Sequence, residues 1–227
     1  MFARANKRIT LARPGTALVI DGFLRSGNTF SVAAFVVSNG RDVHVGRHLH
    51  GAPHVLRAVR LGLPTIVLIR RPADAVVSYL VRRPTLTPDD ALLEYVDFYR
   101  TAWRARDGFV VGLFDQVVTD FGSVVETVNR RYGTSFRPYL PTEQNQAAAF
   151  HLVEEMNRLE CRGEIVETHV GRPSAQRDRR KQEIKADLQR PNTLVLLRRA
   201  EALYAQYAAL ASAAPGAPFR PSPTAEL

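Results

Sequence analysis

Gly22 and Gly27 bracket the tetrapeptide Phe23-Leu24-Arg25-Ser26, just after the apolar run of residues 17–20 and before a helix-compatible stretch. A strand that ends in such a loop and continues as a helix is built to hold an anion. Backbone N–H groups face the ligand, and the helix dipole lies behind them. The G-x-x-x-x-G spacing is that of a nucleotide-binding loop, but Asn28 stands where an NTPase carries lysine. The cation sits inside the loop, at Arg25. That chemistry suits an anion other than the β- and γ-phosphates of ATP.

A second segment has the same character. Residues 65–69 (TIVLI) read as a fully buried strand that runs directly into Arg70-Arg71-Pro72-Ala73-Asp74-Ala75-Val76-Val77-Ser78-Tyr79. A magnesium-dependent NTPase commonly carries a metal-holding aspartate at such a strand end. Here there are two arginines, and the planar guanidinium fork suits phosphate oxygens without an intervening metal. Ser78, on the helix expected to follow, adds a hydroxyl. Arg71 is expected to point elsewhere and to be structural.

His44, His48, His50 and His54 crowd one segment. Such a cluster suggests a metal, yet no cysteine or carboxylate group accompanies it, and the segment crosses a strand, a loop and a helix start.

These residues need a frame. Strand patterns at residues 17–21, 42–46, 65–69 and 109–114 alternate with helix patterns at 28–38, 53–61, 73–81, 88–106 and 121–132. That order predicts an α/β fold around a central parallel sheet. In such sheets ligands bind beyond the carboxyl ends of strands, where Arg25 and Arg70 both fall. Beyond Tyr139 the pattern turns helical, at about 142–159, 176–188 and 194–212. Residues 1–14 read as a flexible basic arm, 15–212 as one domain, and 213–227, rich in Pro, Ala and Ser, as a disordered tail.

On these two motifs the chain resembles the sulfotransferases that use 3′-phosphoadenosine 5′-phosphosulfate (PAPS). Leu24-Arg25-Ser26-Gly27-Asn28-Thr29-Phe30 is similar to the family's PKSGTTW, and the segment from Arg70 to Tyr79 to its RNPKDVAVSY. Gly46-Arg47-His48-Leu49-His50 occupies the place of the K-T-H-L-P stretch that carries the family's catalytic histidine. The resemblance implies a P-loop NTPase-like three-layer fold and sulfuryl transfer from PAPS, as cosubstrate and without a metal, to a hydroxyl or amine. It implies that Arg25, Ser26, Gly27, Asn28 and Thr29 bind the 5′-phosphosulfate, that Arg70 and Ser78 bind the 3′-phosphate, and that His48 is the base. Phe30 replaces the family's tryptophan and keeps an aromatic for adenine. Arg25 replaces its lysine and changes the donor geometry. The C-terminal R-K-G-x-x-G-x-W-K motif has no match; the basic loop of residues 170–177 is its candidate replacement, with Arg177 as a residue covering the cofactor.

The chain has 227 residues, is 45% hydrophobic and carries a formal charge of +9, enough for one substantial core and an anionic partner. Nearly all the positive charge is arginine, which equally fits a GC-rich genome, and no nucleic-acid motif appears. The single Cys161 excludes an intrachain disulfide and a cysteine zinc site. No apolar run reaches membrane-span length, and the N-terminal stretch lacks the apolar core of a secretory signal. These features predict a cytoplasmic bacterial enzyme acting on a small-molecule or glycan acceptor, with no nucleic-acid or membrane partner. The competing readings are a P-loop small-molecule kinase and a non-catalytic relative that binds a nucleotide or polyanion.

Overall fold

The computed structural model describes residues 10–160 and 178–213. Four parallel strands, β1 (Leu18–Gly22), β2 (Val45–Arg47), β3 (Thr65–Ile69) and β4 (Val110–Leu113), form one sheet in the order β2-β1-β3-β4. β1 and β3 are buried along their whole length. Their unbroken apolar sequences follow from that position, because a central parallel strand is covered on both faces.

The period-two alternation of side chains divides the core in two. Leu18, Ile20, Ile66, Leu68 and Val110 face α1 (Asn28–Asn39), α5 (Phe114–Tyr132) and α6 (Glu143–Glu160). Val67, Ile69 and Val111 face α2 (Ala52–Arg60), α3 (Pro72–Arg82), α4 (Pro88–Ala102) and α8 (Pro191–Ser212). Helix, sheet and helix make a three-layer α/β fold with a helical C-terminal part, in which α7 (Asp178–Asp187) packs on α3. α4 begins at a complete capping box: the Thr87 hydroxyl accepts from the Asp90 N–H and the Asp90 carboxylate accepts from the Thr87 N–H, with Pro88 in the first turn.

Several boundaries differ from the sequence expectation. The helix expected over 88–106 ends at Ala102 and tightens into a 3₁₀ turn over Trp103–Gly108. The helix expected from 121 begins at Phe114, with a kink at Asp120 (φ −148°, ψ 66°). The β-branched pair Val117-Val118 hid its first turns. The arm expected over 1–14 is not loose where it is described. Thr10 and Arg47 exchange backbone hydrogen bonds at 3.1 and 2.9 Å, and Ala12 is buried. α2 fastens Ala12 from both sides, since the Ala12 N–H donates to His54 Nε2 (3.0 Å) and Arg57 Nε donates to the Ala12 carbonyl (2.8 Å). Residues 1–9, 161–177 and 214–227 lie outside the described residues, so Arg177 and nearly all of the expected tail do too.

Candidate functional site

β1 continues into α1 on one face of the sheet, while its neighbour β3 continues into α3 on the other. A crevice opens where adjacent strands part in this way. Gly22 pairs with Leu68 across it, and a Cβ on Gly22 would lie 2.3 Å from the Leu68 carbonyl oxygen, so only glycine fits. Gly27 takes a left-handed conformation (φ 92°) and turns the chain into α1. The first turn of α1 has neither an acidic residue nor a side-chain cap, so no carboxylate of that turn answers the positive end of the helix dipole.

Arg25, at φ 68°, projects across the crevice, and its Nε donates to Ser78 Oγ at 2.9 Å. Arg70 Nη1 donates to the Arg25 carbonyl at 3.3 Å. The Arg70 guanidinium lies over the Phe114 ring, 4.0 Å from its centroid, and the Tyr95 hydroxyl holds the Arg70 carbonyl at 2.9 Å. Burial lowers the Arg70 pKa from the usual arginine range, and the charges of Asp74 and Asp115 partly offset this. A desolvated cation of this kind favours an anionic ligand.

One cleft of about 1870 Å³ collects Arg25, Gly27, Asn28, Thr29, Phe30, His48 and Arg70. Sequence reasoning placed these residues in one site, and the fold brings them together. Ser78 joins through Arg25 rather than by lining the cleft. Ser26 does not fit the expectation. It is fully buried, and its hydroxyl lies 3.3 Å from the Tyr99 hydroxyl, which in turn donates to the Leu68 carbonyl at 2.7 Å. The Ser26 side chain therefore braces the loop from beneath instead of facing a ligand. Asn28 closes the loop, with Nδ2 donating to the Phe23 carbonyl (3.0 Å), and its Oδ1 is buried without a partner. Phe30 packs edge-on against Tyr139 and tilted against Phe150. Arg71 points away, as expected, toward Asp115 at 3.9 Å and the Tyr204 ring.

The histidines resolve into separate roles. Asp21 is 0% exposed; Oδ1 accepts the N–H groups of Gly22 (2.9 Å) and His50 (3.1 Å), and Oδ2 lies 2.7 Å from His54 Nδ1. Because His54 Nε2 accepts the Ala12 N–H, the proton of this ring is on Nδ1 and is donated to Asp21. Asp21 thus ties the start of the anion loop to the histidine turn. His50 Nδ1 lies 3.0 Å from the Gly22 carbonyl, an acceptor only, so Nδ1 carries a proton there. His48 and His50 line the cleft with ring centroids 5.7 Å apart.

Among the described residues, Arg25, His48 and His50 are the non-glycine residues with positive φ (68°, 61° and 49°), and all three line this cleft. Each such conformation costs about 1–3 kcal/mol and survives only where its surroundings enforce it. Phe114, Arg82 and Arg83 also line the cleft. Arg82 had a usable signal, since it stands one helical turn after Ser78 on α3. Asp21 and Phe114 had none, because their roles come from contacts made across the sheet.

Among the described residues, no group of three or more His, Cys, Asp or Glu side chains is placed to hold a metal ion, and no helix is long and apolar enough to cross a membrane. Comparison with protein-family models, with curated proteins and with solved structures gives no match.

Proposed function

We propose that this protein transfers a sulfuryl group from PAPS to a hydroxyl or amine, on a fold of the P-loop NTPase type. The observation that carries the reading is the junction of Arg25, Ser78 and Arg70 at a parallel-sheet switch point, beside the N-terminus of α1. In the sequence resemblance the same residues meet the two anionic ends of one nucleotide.

Arg25 and the amides of the first turn of α1 bind the phosphosulfate and stabilise the charge that collects on the phosphate oxygen as the S–O bond breaks. Arg70 binds the 3′-phosphate, which adds binding energy remote from the reacting bond, and Ser78, which the resemblance also assigns there, acts through its bond to Arg25. The acceptor oxygen forms the new bond to sulfur, and its proton passes to an imidazole of the histidine turn. The resemblance gives that role to His48. The ring of His50, anchored by Nδ1 on the Gly22 carbonyl, supports a second reading in which its Nε2 takes the proton. A kinase reading lacks the loop lysine at position 28 and has Arg70 in place of an acidic residue after β3.

Calorimetric titration tests the reading. Adenosine 3′,5′-bisphosphate is expected to bind more tightly than AMP, with or without magnesium, because AMP leaves the Arg70–Ser78 site unfilled. Equal affinities would remove the PAPS assignment and leave a general nucleotide or polyanion binder.

A further inference from the structure

The cleft is larger than one ligand requires. Small-molecule sites commonly measure about 300–1,000 Å³, against about 1870 Å³ here. α6 lines one end of it and also reaches the start of α1, where Phe150 packs against Phe30. The chain connects the two ends through short contacts: His50 touches Gly22 of the anion loop, and Arg47, just before the turn, places Nη1 3.9 Å from Met156 Sδ on α6. Asn157 follows Met156 and also lines the cleft.

Asn157 is 4% exposed, and neither Nδ2 nor Oδ1 has a hydrogen-bond partner. A buried amide without partners is costly, and native cores rarely keep one without a use. Around it Leu152, Val153, Met156 and Leu159 give apolar walls. Of the charged groups nearby, Arg41 pairs with Glu155 at 3.1 Å, and Arg47 stands beside Met156. Asn157 therefore offers an uncharged donor and acceptor side by side, between apolar walls.

We propose that the α6 end of the cleft is a second subsite, in which Asn157 recognises a neutral hydroxylated acceptor with an apolar body and neighbouring hydroxyls, as in an aryl or alkyl glycoside. The role as acceptor rests on the sulfotransferase reading; the subsite and its ligand class do not. A ligand there lies across the histidine turn from the anion loop, so a hydroxyl directed at that turn meets both the imidazoles and the phosphosulfate end.

The test uses 4-nitrophenyl β-D-glucopyranoside as probe, with 4-nitrophenyl β-D-glucuronide and 4-nitroanisole as charged and hydroxyl-free controls. Binding to the full chain is measured by ligand-observed NMR and calorimetry, with and without adenosine 3′,5′-bisphosphate. The glucoside is expected to bind at least about tenfold more tightly than either control and to lose about tenfold in Asn157→Leu, the scale of a lost hydrogen-bonded pair. Bisphosphate affinity is expected to stay within about twofold in that variant, since Asn157 makes no hydrogen bond to the anion loop. Asn157→Leu is also expected to raise the melting temperature of the ligand-free protein, because it removes an unsatisfied buried amide. Asn157→Ser, which keeps a hydroxyl but loses the reach, is expected to weaken the glucoside as well and serves if the leucine variant does not fold. Glucoside affinity unchanged by these substitutions, a control that binds as tightly, or a fall in melting temperature in a folded Asn157→Leu would each overturn the proposal. Bisphosphate binding without glucoside binding also overturns it and leaves the sulfotransferase reading intact. Glucoside binding without bisphosphate binding does the reverse.

Discussion

The two ends of the cleft are made from different material. At the anion end the groups come from strand ends and the main chain: the first turn of α1, the left-handed Arg25 and Gly27, and Arg70 after β3. Their positions are fixed by the ladder between β1 and β3, both buried along their whole length. At the α6 end the groups are side chains on a helix: the Asn157 amide, its apolar neighbours, and Glu155 paired with Arg41. Charge that must be met at fixed points is met by backbone held under strain. On the proposed reading, choice among uncharged ligands falls to side chains on a helix, where a substitution changes specificity without disturbing the sheet.

The sharpest way to break this contrast is at the boundary between the ends, the histidine turn. Replacing the base histidine by alanine is expected to lower turnover by about 10²–10⁴-fold with nucleotide affinity nearly unchanged. Comparing PAPS-dependent turnover of His48→Ala and His50→Ala assigns the role. A loss confined to His50→Ala shifts the loop correspondence by two residues; comparable activity in both variants removes the turn from the chemistry. At the anion end, Arg25→Ala is expected to lose about 10²–10³-fold in turnover, whereas Arg25→Lys keeps appreciable activity as a point charge. Circular dichroism checks that both remain folded. Near-normal turnover in Arg25→Ala would leave the loop as backbone alone.

The same contrast explains what could be read from the sequence. Arg25, Arg70 and Ser78 were legible because backbone-built sites need glycine at set spacings and a cation directly after an apolar strand, and both leave a linear pattern. The parallel sheet was legible from its continuous apolar runs. Ser26 was misjudged because a motif records which residues form a loop but not which way each side chain turns; its hydroxyl faces Tyr99, 73 residues away in the chain. Asp21 is read only through His54 and His50, 33 and 29 residues on. Asn157 has no linear signal at all, since an asparagine on an amphipathic helix looks like any solvated residue until the fold buries it.

A substitution in the sheet tests whether the anion end depends on the close approach of β1 and β3. Gly22→Ala puts a methyl group 2.3 Å from the Leu68 carbonyl oxygen, with the Leu68 Cβ at 2.9 Å. Backbone must shift, and the expected loss is about 1–3 kcal/mol or more in denaturant unfolding, with weaker bisphosphate binding in the protein that still folds. Binding of the glucoside probe at the α6 end is expected to change less. Equal losses at both ends would show that the ends are not independent, and an unaffected Gly22→Ala would refute the close approach.

The smallest effect is expected beneath the loop, at Tyr99. Its hydroxyl donates to the Leu68 carbonyl and accepts from Ser26, and so joins β3 to the anion loop through the core. Tyr99→Phe removes both bonds while keeping the ring, for an expected loss of about 1 kcal/mol near neutral pH. The pH dependence gives this prediction a sign. Burial pushes the Tyr99 hydroxyl well above the usual phenol range, and the hydrogen bond from Ser26 only partly opposes it. The folded protein therefore holds this proton at pH values where the unfolded chain, with a phenol near 10, has released it. The stability tied to that proton is complete below the unfolded value and is lost as pH rises above it, by about 1.4 kcal/mol per unit for one group. Phenylalanine has no proton to lose. The deficit of Tyr99→Phe is thus expected to shrink above about pH 10 and to vanish near pH 11, as its neutral-pH cost is overtaken by the slope of the parent protein. Urea unfolding of both proteins from neutral to alkaline pH measures it. A deficit that stays constant or grows with pH would mean that Tyr99 is reached by solvent and that the loop is not braced from below.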